Sequence, residues 1–116
     1  MANPFVHVEL QTQDLPKAKE FYTQLFDWNL QEIPEMHYTL IGVGEGTGGG
    51  MMKAQMADVP SHWTPYVQVA DINTSTQKAK SLGANVILEP MEVPDTGWVS
   101  VFIDPTGAVL GLFQPK

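Results

Sequence analysis

The sequence predicts an α+β protein that is built from two βαβββ modules, and three observations carry that prediction. An alternating apolar and polar run at residues 5–12 leads directly into a helix-start signal at Asp14. A weaker copy of this strand and helix signal runs from residue 64 to Asp71. The two copies are offset by 57 residues, from Asp14 to Asp71, which indicates that one unit is used twice.

The first module is predicted to hold one helix and four strands. In the opening strand Val6, Val8 and Leu10 point to one side, while His7 and Glu9 point to the other. Asp14 is a good N-cap for the helix, which we expect to end near residue 27. The remaining strands are predicted at residues 28–33, 37–43 and 51–54, and the glycine-rich stretch 44–50 is interpreted as a turn before the last of them.

The second module repeats this order. A strand around Tyr66 is followed by a helix that Asp71 caps and Gly83 stops. Three further strands are predicted at residues 84–88, 98–103 and 108–113, and the first two are separated by Pro90, Pro94 and Gly97. The 57-residue offset also matches Gly50 with Gly107, so both glycines are expected to serve the same local role.

Composition limits the size and the partners of the protein. With 116 residues, of which 43% are hydrophobic, we expect a single domain spanning 1–116, with module 1 at about 1–56 and module 2 at about 61–116. A formal charge of −7 argues against nucleic acid and membrane-surface partners. The chain has no cysteine, which excludes disulfides and thiolate chemistry. We expect a cytoplasmic protein, because no secretory leader or apolar spanning segment is visible.

Several short motifs occur in a diagnostic order along nearly the whole chain. They are His7-Val8-Glu9-Leu10 with Asp14-Leu15, Phe21-Tyr22 with Leu25-Phe26-Asp27-Trp28, Val69-Ala70-Asp71-Ile72, Leu82-Gly83-Ala84 and Asp104-Pro105-Thr106-Gly107. In these motifs the chain resembles the vicinal oxygen chelate superfamily, which includes glyoxalase I, extradiol dioxygenases and bleomycin-resistance proteins. The resemblance implies two βαβββ modules that form a half-open, cup-shaped mixed sheet with helices outside and a small-molecule ligand inside. It also implies a homodimer.

The resemblance implies metal-ligand positions that this sequence mostly does not fill. Metal enzymes of the superfamily carry a His, Gln or Glu on the first strand of each module and a Glu on the last strand. The matching first-strand residues here are His7 and Thr64, and the last strand of module 2 offers Gly111. A protein-held divalent ion needs about three converging donors. We therefore expect no metal and no cofactor, with His7 the only retained ligand position; an unconventional set of His7, Glu9 and His62 is the alternative.

The remaining chemistry centres on His7 and Glu9, which share a strand face. A carboxylate beside an imidazole is suited to general acid and base catalysis, to ligand binding or to a structural hydrogen bond, and the sequence leaves these roles open. The leading hypothesis is a glyoxalase-like or bleomycin-resistance-like protein that binds a small molecule, and the alternative is a lyase or isomerase that uses His7 and Glu9. The residues predicted to bind the ligand are His7, Glu9, Met52, Thr64, Tyr66, Gln68 and Phe102.

Overall fold

A computed structural model describes residues 3–116 of the chain. Two helices and eight strands follow one another in the order βαβββ, repeated once, which confirms the predicted fold class. The elements are β1 (Phe5–Thr12), α1 (Leu15–Leu25), β2 (Asn29–Ile33), a short 3-10 helix (Pro34–Met36), β3 (Tyr38–Gly42), β4 (Gly49–Lys53), β5 (His62–Gln68), α2 (Ile72–Ser81), β6 (Asn85–Val93), β7 (Gly97–Ile103) and β8 (Val109–Pro115).

The chain divides into two compact units. One unit comprises residues 7–63, and the other comprises residues 64–116 together with the described residues 3–6. In the first unit the strand order is β2-β3-β4-β1, with β1 and β4 parallel and the other neighbours antiparallel. In the second unit the order is β5-β8-β7-β6, with β5 and β8 parallel.

Both helices begin at the predicted aspartates. The Asp14 side chain accepts a hydrogen bond from the backbone N–H of Lys17 at 3.1 Å, and Asp71 Oδ1 accepts one from Thr74 at the same distance. Each bond satisfies a backbone donor that the first helical turn leaves without a partner, which stabilises a helix by about 1 kcal/mol. The two strand-to-helix junctions are therefore equivalent.

Each unit has its own apolar core on the helix side of its sheet. In the first unit Leu10, Ile41 and Met51 are buried, and Tyr22 and Trp28 pack against them. In the second unit the buried residues are Val69, Ile72 and Leu112.

No helix within residues 3–116 is long and apolar enough to cross a membrane.

Two sequence expectations on the strands are wrong. Strand β6 does not end at Leu88 but continues through Pro90 to Val93, because shifts in its pairing with β7 on either side of Leu88 accommodate the proline. Gly50 and Gly107 do not serve the same role, since Gly50 lies within β4 while Gly107 adopts a positive φ of 97° in the turn before β8. The second module is longer near its end, so the fixed offset does not extend to the last strand.

Candidate functional site

One face of β1 carries the polar side chains of His7, Glu9 and Gln11. The pairing of β1 with β4 sets Glu9 beside Gly50 and Gln11 beside Met52, and His7 shares their face by strand alternation. Val8 and Leu10 point to the opposite face, where Leu10 enters the core. The structure therefore separates the polar and apolar sides of β1 as the alternation predicts.

Tyr38, at the start of β3, joins His7 and Glu9 through its hydroxyl group. The phenolic oxygen lies 2.8 Å from His7 Nε2 and donates a hydrogen bond of 3.0 Å to Glu9 Oε1. The Tyr38 and His7 rings are stacked, with centroids 6.2 Å apart. Gln11 Nε2 donates to the other oxygen of Glu9 at 3.0 Å. These four side chains form one hydrogen-bonded chain, which we call the β1 network.

Gly50 provides the space that Tyr38 occupies. A Cβ atom built on Gly50 would collide with the Tyr38 ring and hydroxyl. Any side chain at this position would therefore displace Tyr38 from the β1 network. The close approach explains why a glycine lies in the middle of a strand, where it is otherwise unfavourable.

Burial controls the electrostatics of the β1 network. Glu9 is only 9% exposed, and both of its oxygens accept hydrogen bonds, as an ionised carboxylate does. Burial lowers the pKa of His7 below its ordinary value of 6.5, and the negative charge of Glu9 opposes this effect without reversing it. A neutral imidazole is thus favoured near a carboxylate that acts as an acceptor.

The second unit places three of the predicted ligand-binding residues on one face of β5. Thr64, Tyr66 and Gln68 alternate along this strand, and Thr64 and Tyr66 are only 4% and 6% exposed. Tyr66 pairs with Gly111 of β8, and a Cβ atom on Gly111 would collide with the Tyr66 ring. A tyrosine over a strand glycine therefore occurs in both units.

Phe102 lies on the other face of its sheet, although the sequence groups it with Tyr66. On β7, Phe102 shares a face with Ser100, which is fully buried and hydrogen-bonded to Thr76 of α2. Phe102 itself packs against the core of Val69, Ile72 and Leu112. This prediction needs correction, because the side of β7 that carries Phe102 is covered by the helix.

The residues that would hold the superfamily's metal do not fit one here. Within each unit the glycine of the last strand, Gly50 or Gly111, lies under a tyrosine side chain and offers no donor. His62 instead directs Nδ1 to the carbonyl oxygen of Pro60 at 2.8 Å. Among residues 3–116 no three His, Asp or Glu side chains come together as metal ligands would, so the alternative set of His7, Glu9 and His62 does not assemble. That the protein binds no metal stays a prediction.

A separate apolar cavity of about 360 Å³ lies on the helix side of the first unit. Trp28 and Trp63 form part of its wall, with ring centroids 6.3 Å apart in an edge-to-face arrangement. The other lining residues are Val8, Ile41, Val43, Thr47, Gly48 and Gly49. Val8 and Ile41 point away from the β1 network, so the cavity and the network lie on opposite faces of the sheet.

Sequence reasoning missed both Tyr38 and Gln11. The glycine-rich stretch predicts a turn at Gly50, whereas this residue lies within β4 and leaves room there for a side chain from a neighbouring strand. Identifying that side chain as Tyr38 requires the pairing register of β3 with β4, which cannot be obtained from the sequence alone.

The fold and the site define an α+β protein of paired βαβββ modules with a half-buried imidazole and a buried carboxylate on the first strand. A family model described as the Glyoxalase/Bleomycin resistance protein/Dioxygenase superfamily matches residues 5–112. The chain belongs to this superfamily, which confirms the resemblance seen in its motifs.

Individual relatives agree with this assignment. The chain is 35% identical over 110 residues to a Mycobacterium bovis protein named "Putative glyoxylase CFP32". The aligned region covers 92% of this chain and 42% of that protein. It is 28% identical over 123 residues to "Lactoylglutathione lyase GLX1" of Arabidopsis thaliana, covering 95% of this chain and 44% of the relative. The chain thus spans less than half the length of these curated relatives.

Solved structures share the fold. The crystal structure of methylmalonyl-CoA epimerase from Mycobacterium tuberculosis superposes with a TM-score of 0.72 at 18% identity, covering 97% of this chain and 87% of that one. At this low identity the likeness concerns the fold alone.

Proposed function

We propose that this protein binds a small molecule at the β1 network and does so without a protein-held metal ion. The observation that carries the proposal is the hydrogen-bonded arrangement of His7, Tyr38 and Glu9 on one sheet face. A small number of well-placed polar groups is the usual means by which a largely apolar pocket orients its ligand. Met52, on the same face as Glu9, supplies an adaptable apolar contact beside them.

The polar groups of the network suit a ligand that forms hydrogen bonds. Glu9 has lone pairs on both oxygens beyond those that accept from Tyr38 and Gln11, because a carboxylate offers about four acceptor positions. His7 adds an imidazole ring, whose neutral form is favoured because burial lowers the pKa of His7. The proposed ligand therefore carries at least one hydrogen-bond donor next to an apolar body. Thr64, Tyr66 and Gln68 belong to the proposal as further ligand-binding residues.

The absence of a metal is supported by the tyrosines that cover Gly50 and Gly111. Their rings fill the space into which a last-strand side chain would project. We infer that the ligand contacts side chains directly and that no cofactor is required. A homodimer in the cytoplasm remains part of the proposal; exposed apolar residues on and just after α1, such as Phe21 and Phe26, offer surface for self-association.

The second candidate function is a lyase or isomerase in which His7 and Glu9 transfer protons. A neutral imidazole linked to a carboxylate by a hydroxyl group favours this alternative, because such an arrangement passes protons at neutral pH. One relative is named a lactoylglutathione lyase, which is the first of the two reaction classes in this alternative.

A thermal-shift screen of small metabolites, run with and without divalent metal ions, tests the proposal. A ligand that binds the native state raises the melting temperature by mass action. We expect stabilising compounds whose effect does not depend on metal, and a weaker effect in His7→Ala and Glu9→Ala. Stabilisation only in the presence of a metal, or unchanged ligand binding in both variants, would contradict the assignment.

The same variants separate the two functions. In a binding protein they keep affinity for the apolar part of a ligand and lose the polar contribution. In an enzyme they abolish turnover of a substrate found in the screen, while a Tyr22→Phe control on the helix side of the unit keeps it. Isothermal titration and product detection by mass spectrometry measure the two outcomes.

A further inference from the structure

Tyr38 is placed to control which nitrogen of His7 carries the proton. A tyrosine hydroxyl has a single hydrogen atom, and in this structure it is donated to Glu9 Oε1. The same oxygen lies 2.8 Å from His7 Nε2, so it can only accept a hydrogen bond from that nitrogen. The directions of the two bonds therefore require a proton on Nε2.

Glu9 fixes the direction of this chain of hydrogen bonds. Gln11 donates an amide hydrogen to Oε2 at 3.0 Å while Tyr38 donates to Oε1, so the carboxylate acts as an acceptor on both sides. With 9% of Glu9 exposed, water has little access to replace either donor. Reversal of the Tyr38 hydroxyl would leave a buried carboxylate oxygen without this donor, which is costly.

Gly50 holds Tyr38 in this position. The tyrosine ring lies where a side chain at Gly50 would project, and the stacking of Tyr38 on His7 orients the hydroxyl toward Nε2. The geometry thus depends on three strands, with His7 and Glu9 on β1, Tyr38 on β3 and Gly50 on β4.

We propose that Tyr38 is a positioning residue that holds neutral His7 in the Nε2–H tautomer, so that Nδ1 is the basic atom of the site. The tautomer follows from the hydrogen bonds alone, whereas its importance for a ligand rests on the proposed function. A ligand group that contacts unprotonated Nδ1 must donate a hydrogen bond to it or give up a proton to it.

Nitrogen-15 NMR of the ligand-free protein tests the proposal, because the two ring nitrogens have distinct shifts when protonated and unprotonated. Spectra are recorded at about pH 8.5, roughly two units above the ordinary pKa of histidine. We expect His7 to populate the Nε2–H tautomer in the wild-type protein. In Tyr38→Phe the ratio of the Nε2–H to the Nδ1–H tautomer falls about fivefold, which corresponds to one hydrogen bond of about 1 kcal/mol.

Two further variants control the measurement. Gly50→Ala leaves the tyrosine hydroxyl in the protein but displaces it from the β1 network, so the tautomer ratio of His7 should change in the same direction. Tyr22→Phe removes a phenol that lies with the core on the opposite face and should leave the ratio unchanged. A folded Tyr38→Phe protein with the wild-type ratio would overturn the proposal. Because no ligand is present, this outcome is independent of the thermal-shift screen and of the proposed function.

Discussion

The bond between Tyr38 and Glu9 should contribute measurably to stability, and a double-mutant cycle isolates it. The variants are Tyr38→Phe, Glu9→Ala and the two combined. A hydrogen bond to a charged group contributes about 1.5–3 kcal/mol. At 3.0 Å this bond is longer than the roughly 2.5–2.7 Å of a strong O–H···O⁻ contact, so we expect a coupling free energy near the lower limit, about 1.5 kcal/mol. Because Glu9 is only slightly exposed, competition from water should not reduce this coupling free energy much further.

Urea unfolding followed by circular dichroism measures the free energy of unfolding of each variant. We expect the double variant to lose about 1.5 kcal/mol less than the sum of the two single losses. A second cycle that pairs Glu9→Ala with Tyr22→Phe serves as the control, since Tyr22 packs on the helix side; it should be additive within about 0.5 kcal/mol. Additivity in the Tyr38 cycle would refute the contact on which the site depends.

Two other variants address the core and the pH response. Met51→Ala should lower the free energy of unfolding by about 2–5 kcal/mol in urea titrations, because Met51 is fully buried between Leu10 and Ile41. For His7, burial lowers the pKa in the native state below 6.5, so the unfolded chain binds more protons in the window between the two values. The stabilisation from neutral His7 is therefore complete above about pH 6.5 and is lost as the pH falls through the lowered pKa. The melting temperature of the wild type should fall more steeply there than that of His7→Gln.

Each of these expectations has a clear opposite result. A loss below about 1 kcal/mol in Met51→Ala would mean that the core around it closes on the cavity. Equal acid dependence of the melting temperature in wild type and His7→Gln would mean that His7 titrates alike in the folded and unfolded states. Met52→Ala is the matched control for Met51→Ala, because Met52 lies on the face of Glu9 and is only partly buried. It should lower the free energy of unfolding by less than Met51→Ala does.

The parts of the fold that depend on local chemistry could be predicted from the sequence. Asp14 and Asp71 start their helices as expected, because an N-cap acts on backbone donors two or three residues away. The polar face of β1 followed from alternation alone. In both cases the interacting atoms are neighbours along the chain.

Features that depend on strand register could not be predicted in this way. Tyr38 is 31 residues from His7, and only the pairing of β3 with β4 brings it over Gly50 and beside the β1 network. Phe102 shows the same limit, since alternation divides β7 into two faces but does not say which face α2 covers. Register and layer order are set by the packing of distant segments.

The repeated strand glycines suggest why the polar chemistry is concentrated in the first module. In both units a tyrosine covers the glycine of the last strand, but the tyrosine comes from a different strand in each. In the second unit Tyr66 of β5 is itself the pairing partner of Gly111. In the first unit the partner of Gly50 is Glu9, and the covering ring is supplied by Tyr38 of β3. Because β3 provides the aromatic ring, β1 is able to carry a carboxylate at the position that Tyr66 occupies in the second unit. The arrangement of His7 and Glu9 thus depends on Tyr38 for space as well as for hydrogen bonding.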